Sequence, residues 1–165
     1  MDFFVWLGQT GLSTWIRESP SLFAYPIIIS LHTVGMGFLV GTNLMIDLRI
    51  LGFSSRLPLA PMERFFPVMY LGFWVNAASG ILLLLAYPAE GVTNWIFYFK
   101  LLFIALAMVA MRLLQNQVFC DPRRDDSSLP WWRTDKNLAG ASLVFWLLAI
   151  VTGRYMSYIG YGLPE

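Results

Sequence analysis

The chain has 165 residues, of which 58% are hydrophobic, 16% aromatic and 13% charged. The charged fraction is about half that of a soluble domain, so the composition predicts a single integral membrane domain over residues 1–165. A net charge of +1 favours neither a nucleic-acid partner nor an acidic substrate, and one cysteine, Cys120, excludes an internal disulfide and any CxxC motif.

The N-terminal segment, residues 2–18, mixes aromatic and polar side chains in a pattern too polar to cross a bilayer. Its apolar members are Phe3, Trp6, Leu7 and Trp15, and its polar members are Gln9, Thr10, Ser13, Arg17 and Glu18. Such a mixture is typical of an amphipathic helix that lies in the membrane interface. A short soluble helix is the alternative interpretation.

Four later segments are long and apolar enough to cross a membrane, at about 22–46, 65–87, 95–114 and 138–161. Each can satisfy its backbone hydrogen bonds internally as a helix, which a lipid environment requires. The sequence therefore predicts an all-α fold, an integral membrane four-helix bundle in a lipid bilayer.

Basic side chains are concentrated in two of the connections between these spans. They are Arg49, Arg56 and Arg64 in the first, and Arg112, Arg123, Arg124, Arg133 and Lys136 in the third. The positive-inside rule then predicts that the two basic loops lie in the cytoplasm and that both termini lie on the opposite side of the membrane. The long third connection, residues 121–136, is predicted to be cytoplasmic and partly ordered by its tryptophans.

His32 is the only histidine and lies near the middle of the first span. An ionisable side chain at that depth is costly and is read first as a functional residue. Helical spacing places it on one face with Tyr25, Ile28, Met36, Leu39 and Asn43. Gly37 and Gly41, in the sequence GFLVG, fall nearly opposite and predict close contact with another helix.

Two further basic residues, Lys100 and Arg154, lie ~7 Å and ~10 Å inside the predicted outer ends of the third and fourth spans. No acidic side chain lies at matching depth, and unpaired buried cations are costly. The pair therefore predicts an anion nearby: haem propionates, a lipid phosphate or a quinone headgroup. The alternative is that both side chains extend outward to the lipid headgroups.

Bundles of four helices hold haem between facing side chains, and the iron is commonly bound by His with a second His or Met. His32 is the predicted axial and metal ligand, with Met156, or else Met69 or Met108, as a possible second ligand, and a five-coordinate haem as another option. Along the second span, Gly72, Asn76, Ser79 and Gly80 form a stripe that suits a flat cofactor or a packed helix. Asn76 and Gly80 are accordingly predicted to bind the cofactor. A copper site, or a His32 that only hydrogen-bonds a neighbouring helix, are the alternatives.

No catalytic constellation is present in the sequence: it has no paired carboxylates within the spans, no GxSxG or HExxH motif, and no phosphate-binding loop. Asp47 and Arg49, at the end of the first span, are predicted to form a local charge pair at the cytoplasmic interface.

These residues together resemble a bacterial family of small membrane proteins known as DUF6644. The resemblance rests on His32, the run VGTNLMIDLRILG over 40–52, Ser79 with Gly80 in the second span, Lys100 in the third, and Gly153, Arg154 and Tyr158 in the fourth. It implies a bacterial cytoplasmic (inner) membrane with both termini in the periplasm. Many members of that family carry another histidine where this chain reads VFC, ending at Cys120. The family is similar in appearance to membrane proteins of the cytochrome b561 and CopD kinds, an analogy of fold alone.

The leading functional hypothesis is a membrane protein that binds a redox cofactor, haem b, and transfers electrons between a membrane carrier such as quinol and a periplasmic partner. The first alternative is a cofactor-free accessory subunit, packed through GFLVG in a larger membrane complex or a homo-oligomer. The second is a copper-handling membrane protein.

Overall fold

A computed structural model describes residues 2–53, 58–120 and 134–159. These residues are helical and contain no strand, which confirms the all-α class. Seven α-helices, one 3-10 helix and one π-helical turn occur among them. They are α1 (Asp2–Gly8), α2 (Gly11–Glu18), α3 (Tyr25–Leu51), a 3-10 helix (Ala60–Phe65), α4 (Phe66–Ala86), α5 (Pro88–Thr93), α6 (Trp95–Leu114), a π-helical turn (Gln115–Cys120) and α7 (Asp135–Ile159).

Four stretches of helix in this part of the chain have the length and apolar composition needed to cross a membrane. They cover Tyr25–Leu51, Ala60–Ala86, Trp95–Cys120 and Asp135–Met156. Each exceeds the roughly 20 residues that span a hydrocarbon core. The protein is therefore a multi-pass membrane protein in a lipid bilayer, as its composition predicts. Of the predicted third connection, residues 121–133 lie outside the described residues.

The N-terminal segment forms two short helices rather than the single helix predicted over 2–18. The break falls at Gln9 and Thr10, whose backbone N–H groups donate to the carbonyls of Trp6 and Leu7 at 3.0 and 3.2 Å. The Thr10 hydroxyl also donates to the Leu7 carbonyl at 2.7 Å, so it closes the end of α1. The chain can then turn before α2 begins.

The first membrane helix is longer than the sequence predicts, because α3 continues past Ile46 to Leu51. The predicted end assumed that the charge at Asp47 marks the edge of the membrane. The structure instead buries Asp47 completely, so that charge does not end the helix. Termination comes at Gly52, whose φ of +97° is a left-handed conformation that favours glycine after a helix.

The chain divides into two compact units. The first unit contains Met1–Leu39 and Pro67–Trp95, and the second unit contains Val40–Phe66 and Ile96–Glu165. In the first, Ile16 of α2 packs with Ile28 and Ala86 in a buried cluster. In the second, Leu114 packs with Leu138 and Ala139, and the Phe66 and Phe119 rings meet edge to face at 5.1 Å.

Two glycines bring the backbones of α3 and α4 together within the first unit. A Cβ added to Gly35 would lie 2.9 Å from the Asn76 backbone nitrogen, and one added to Gly72 would lie 2.9 Å from the Gly35 carbonyl oxygen. No side chain fits at that separation, so both positions require glycine. This backbone contact fixes the pairing of the two helices.

The predicted contact glycines of GFLVG do not make this approach. Gly37 and Gly41 are both exposed, and a Cβ on either would meet nothing within 4 Å in the described part of the chain. The GFLVG spacing therefore does not mediate contact within the described residues, and Gly35 does so instead. The reason is angular: residues two positions apart on a helix point about 160° away from each other.

Candidate functional sites

The first candidate site surrounds His32 and lies within the first unit. We call it the His32 site, and it consists of His32 on α3 with Asn76, Ser79 and Gly80 on α4. His32 Nδ1 lies 3.0 Å from the Asn76 carbonyl oxygen and 3.1 Å from Ser79 Oγ. The ring is therefore held directly against the backbone of α4.

These contacts determine which ring nitrogen carries hydrogen. A carbonyl oxygen can only accept, so the Nδ1 position must donate to Asn76. The Ser79 hydroxyl donates to the Val75 carbonyl at 2.6 Å, so it is oriented to accept from the same Nδ1–H. In a neutral imidazole, a proton on Nδ1 leaves the lone pair on Nε2, the form in which histidine binds metals.

Asn76 also donates a hydrogen bond to His32, the residue whose ring its backbone carbonyl accepts from. Its side-chain Nδ2 donates to the backbone carbonyl oxygen of His32 at 2.8 Å. The side chain of each residue thus donates to the backbone carbonyl of the other. This double contact joins the middles of α3 and α4 and fixes the orientation of the imidazole.

Gly80 makes room for the ring. A Cβ at Gly80 would lie 3.2 Å from His32 Cε1 and 3.5 Å from Nδ1. The predicted stripe on the second span therefore meets α3: Gly72 contacts its backbone, and Asn76, Ser79 and Gly80 contact His32. Of the two interpretations of that stripe, the described contacts are those of a packed helix.

Lys100, Arg154 and Met156, the other predicted site residues, belong to the second unit. Lys100 on α6 lies along Gly153 of α7, because a Cβ added there would be 3.4 Å from Lys100 Cε and 3.6 Å from its Nζ. Arg154, the next residue, is exposed, and its guanidinium lies 5.5 Å from the Tyr158 ring centroid. Met156 is half-buried. Lys100 therefore lies beside Gly153, and the predicted role of Lys100 and Arg154 as an anion-binding pair stays a prediction.

A second candidate site, missed by the sequence analysis, lies in the second unit. We call it the Asp47 site, and it consists of Asn43 and Asp47 on α3 with Ser142 on α7. Asn43 Nδ2 donates to Asp47 Oδ2 and to Ser142 Oγ, the latter at 2.8 Å. All three side chains are buried, Asp47 and Ser142 with 0% exposure. A carboxyl group is thus enclosed between two membrane helices.

The predicted charge pair between Asp47 and Arg49 is not among the contacts of this carboxyl group, whose partners are Asn43 and Ser142. Side chains two positions apart on a helix point in different directions, so the Arg49 side chain does not reach the contacts that Asp47 makes. One signal in the sequence could have found the site: Asn43, on the face predicted for His32, lies four residues before Asp47 and so on the same side of the helix. Nothing in the sequence singled out Ser142.

Other parts of the structure offer less for a cofactor. In the described residues, no group of three or more His, Cys, Asp and Glu side chains is placed to hold a metal ion. A surface cleft of about 580 Å³ lies in the second unit, and its lining includes Arg49, Leu59, Thr134 and Lys136 but none of the predicted cofactor residues.

Comparison with known proteins gives no further guide to these sites. The chain matches no protein-family model, no curated protein and no solved structure.

Proposed function

We propose that the protein binds haem b through His32 and transfers electrons between a membrane carrier such as quinol and a periplasmic partner. The observation that supports this proposal is the hydrogen bond from His32 Nδ1 to the Asn76 carbonyl oxygen. Histidines that bind metals commonly donate their other ring N–H to a carbonyl, which sets the tautomer and makes the ligand more basic. Bound haem would supply a one-electron couple.

The residues around His32 suit that role. The Asn76 carbonyl and Ser79 hydroxyl both contact Nδ1 and so hold the imidazole in one orientation. Because the chain has one histidine, a single chain cannot give bis-histidine ligation, and His–Met or five-coordinate ligation are the predicted options. The axial role of Met156 and the propionate role of Lys100 and Arg154 stay predictions from the sequence.

An absorption spectrum of the purified protein, oxidised and then reduced with dithionite, tests the proposal. Cells would be supplied with a haem precursor during expression. We expect a Soret band with reduced α and β bands, at about one haem per chain, and we expect His32→Ala to lose them. Thr33→Ala is the matched control, because the neighbouring Thr33 is exposed and its hydroxyl only donates to the Ile29 carbonyl. A colourless wild-type protein would rule out haem.

The accessory-subunit alternative is favoured by the exposed glycines of GFLVG. Gly37 and Gly41 present a face with no described atom within 4 Å of either Cβ position, and such spacing permits close helix contact in lipid. Leucine at both positions is expected to reduce the size of the assembly extracted in mild detergent if another subunit or a second copy covers this face. An unchanged assembly would contradict this second function.

The inner-membrane location and the periplasmic termini can be tested with the single cysteine. Cys120 is exposed at the end of the π-helical turn that follows α6, in the part of the chain predicted to be cytoplasmic. In intact bacterial spheroplasts, we expect a membrane-permeant maleimide to label it and an impermeant maleimide to fail. Labelling by both reagents would reverse the orientation.

A further inference from the structure

The Asp47 site contains a buried oxygen that has no partner. Asp47 Oδ2 accepts from Asn43, and the Ser142 side chain also hydrogen-bonds the carboxyl group. In the described part of the chain, Oδ1 has no hydrogen-bond partner although it is completely buried. Buried polar atoms are nearly always paired, so an atom like this one indicates that something else binds there.

A negative charge on Asp47 would have no balancing charge among its described partners. Those partners are an amide and a hydroxyl, and no basic side chain is among them. A buried carboxylate without a compensating charge is strongly unfavourable, and more so at membrane depth. An ionised Asp47 therefore requires one positive charge next to Oδ1.

We propose that Asp47, Asn43 and Ser142 bind a sodium ion between α3 and α7. Asp47 Oδ1 would be the charged ligand and Ser142 Oγ a neutral one. The carboxamide of Asn43 can present either its oxygen or its nitrogen to the site, because the two are interchangeable by a flip of the group. One carboxylate balances one charge, whereas sites for divalent ions usually combine more oxygen ligands.

This inference is independent of the proposed electron transfer, because the site shares no residue with the His32 site. The test uses the purified full chain in detergent and follows thermal unfolding by tryptophan fluorescence at fixed pH and ionic strength. Replacing choline chloride with sodium chloride is expected to raise the unfolding midpoint in a saturable way, since an ion that binds only the folded state stabilises it. Potassium should act more weakly.

Two variants connect the effect to the site. Asp47→Asn keeps the shape of the side chain and removes its charge, so the sodium dependence should disappear. Ser142→Ala deletes one ligand, and the half-saturating sodium concentration should rise roughly tenfold. The haem spectrum expected from the proposed function should be unchanged in both, so failure of one proposal is distinguishable from failure of the other.

Two controls should keep the wild-type sodium response. Glu63→Gln removes an exposed carboxylate from the 3-10 helix. Trp146→Phe removes the indole N–H, the other buried side-chain polar atom without a partner in the described residues. An N–H donor cannot bind a cation, so loss of the response in Trp146→Phe would indicate a water or an anion instead and would overturn the proposal.

Binding of radioactive sodium to the wild-type protein by equilibrium dialysis covers the case in which Asp47→Asn does not fold. We expect saturation at about one ion per chain, displaced by unlabelled sodium but not by choline. No sodium-specific stabilisation and no saturable binding would mean that a proton or a water satisfies Asp47, and would overturn the inference. An equal sodium effect in folded Asp47→Asn would do the same.

Discussion

The two polar sites of this protein both join α3 to another helix, but they differ in how completely their atoms are paired. In the His32 site, the imidazole donates to the backbone of α4, and Asn76 donates back to the backbone of α3. In the Asp47 site, Asn43 donates to both Asp47 and Ser142, yet Asp47 Oδ1 has no partner in the described residues.

This difference separates a side chain whose described bonds fix its orientation from a side chain with one buried oxygen left without a described partner. The bonds of His32 orient its ring and depend on the close fit of two backbones. The bonds of Asp47 leave its Oδ1 without a partner in the described residues. The sequence drew attention to the histidine because it is unique, but the structure gives the more direct sign of a missing partner at the aspartate.

The largest predicted effect would break the His32 site through its backbone. Gly35→Val places side-chain carbons where the Asn76 nitrogen and the Gly72 carbonyl oxygen already lie within about 3 Å of a Cβ. Because backbone atoms cannot move aside as a side chain can, we expect a loss of about 3 kcal/mol or more in the free energy of unfolding. Unfolding in mixed detergent and SDS micelles would measure it.

Gly37→Val, two residues along the same helix, is the matched control. It introduces the same side chain on the exposed face, and the unfolding free energy should stay within about 0.5 kcal/mol of the wild type. If Gly37→Val were the more damaging of the two, the assignment of Gly35 as the contact glycine would be wrong.

A pair of asparagine substitutions compares the two sites directly. Asn43→Ala removes the donor to a fully buried carboxyl group, and the expected loss is about 2 kcal/mol, since a buried acceptor is left without its hydrogen bond. Asn76→Ala removes one interhelical bond to a neutral carbonyl, and the expected loss is about 1 kcal/mol or less in a membrane environment. The same SDS titration measures both, and the reverse order would contradict the comparison.

The smallest predicted effect concerns Gly153, because the atoms close to its Cβ position belong to the Lys100 side chain and not to the backbone of another helix. Gly153→Ala brings a methyl group to 3.4 Å from Lys100 Cε, an ordinary contact distance, and a lysine chain can adjust. The unfolding free energy should change by no more than about 0.5 kcal/mol. A loss as large as that of Gly35→Val would show that Lys100 is rigidly held, which would sharpen the case for a bound anion.

The membrane helices could be predicted from the sequence because a long apolar segment in lipid must satisfy its backbone hydrogen bonds internally, and a helix does so. Their ends were harder to place. The prediction ended the first span at Ile46 because it counted Asp47 as exposed, and charge alone does not reveal burial between two helices. The two-helix form of the N-terminal segment was missed because the Thr10 hydroxyl bond that ends α1 is a local contact, not a matter of hydropathy.

For the two sites as well, periodic patterns could be predicted from the sequence, whereas individual contacts could not. Helical spacing predicted that Tyr25, Ile28, Met36, Leu39 and Asn43 share one face with His32. On that face Ile28, Leu39 and Asn43 are buried, and the others are partly buried. The sequence also predicted the stripe that contains Asn76 and Gly80. The spacing of its residues could not decide whether the stripe contacts a helix or a cofactor. Ser142 was missed because an isolated serine in an apolar helix carries no periodic signal and is recognised only by its partners.

The lipid-facing hydroxyls bear on how this chain enters the membrane. Ser30 donates to the Pro26 carbonyl at 2.7 Å and Thr33 to the Ile29 carbonyl at 2.9 Å, and both side chains are exposed. A hydroxyl that donates to its own helix hides its hydrogen from hydrocarbon. The insertion machinery should therefore recognise α3 as more hydrophobic than the sum of its residues' hydropathies suggests. Ser30→Ala is accordingly expected to leave the fraction of inserted chains nearly unchanged.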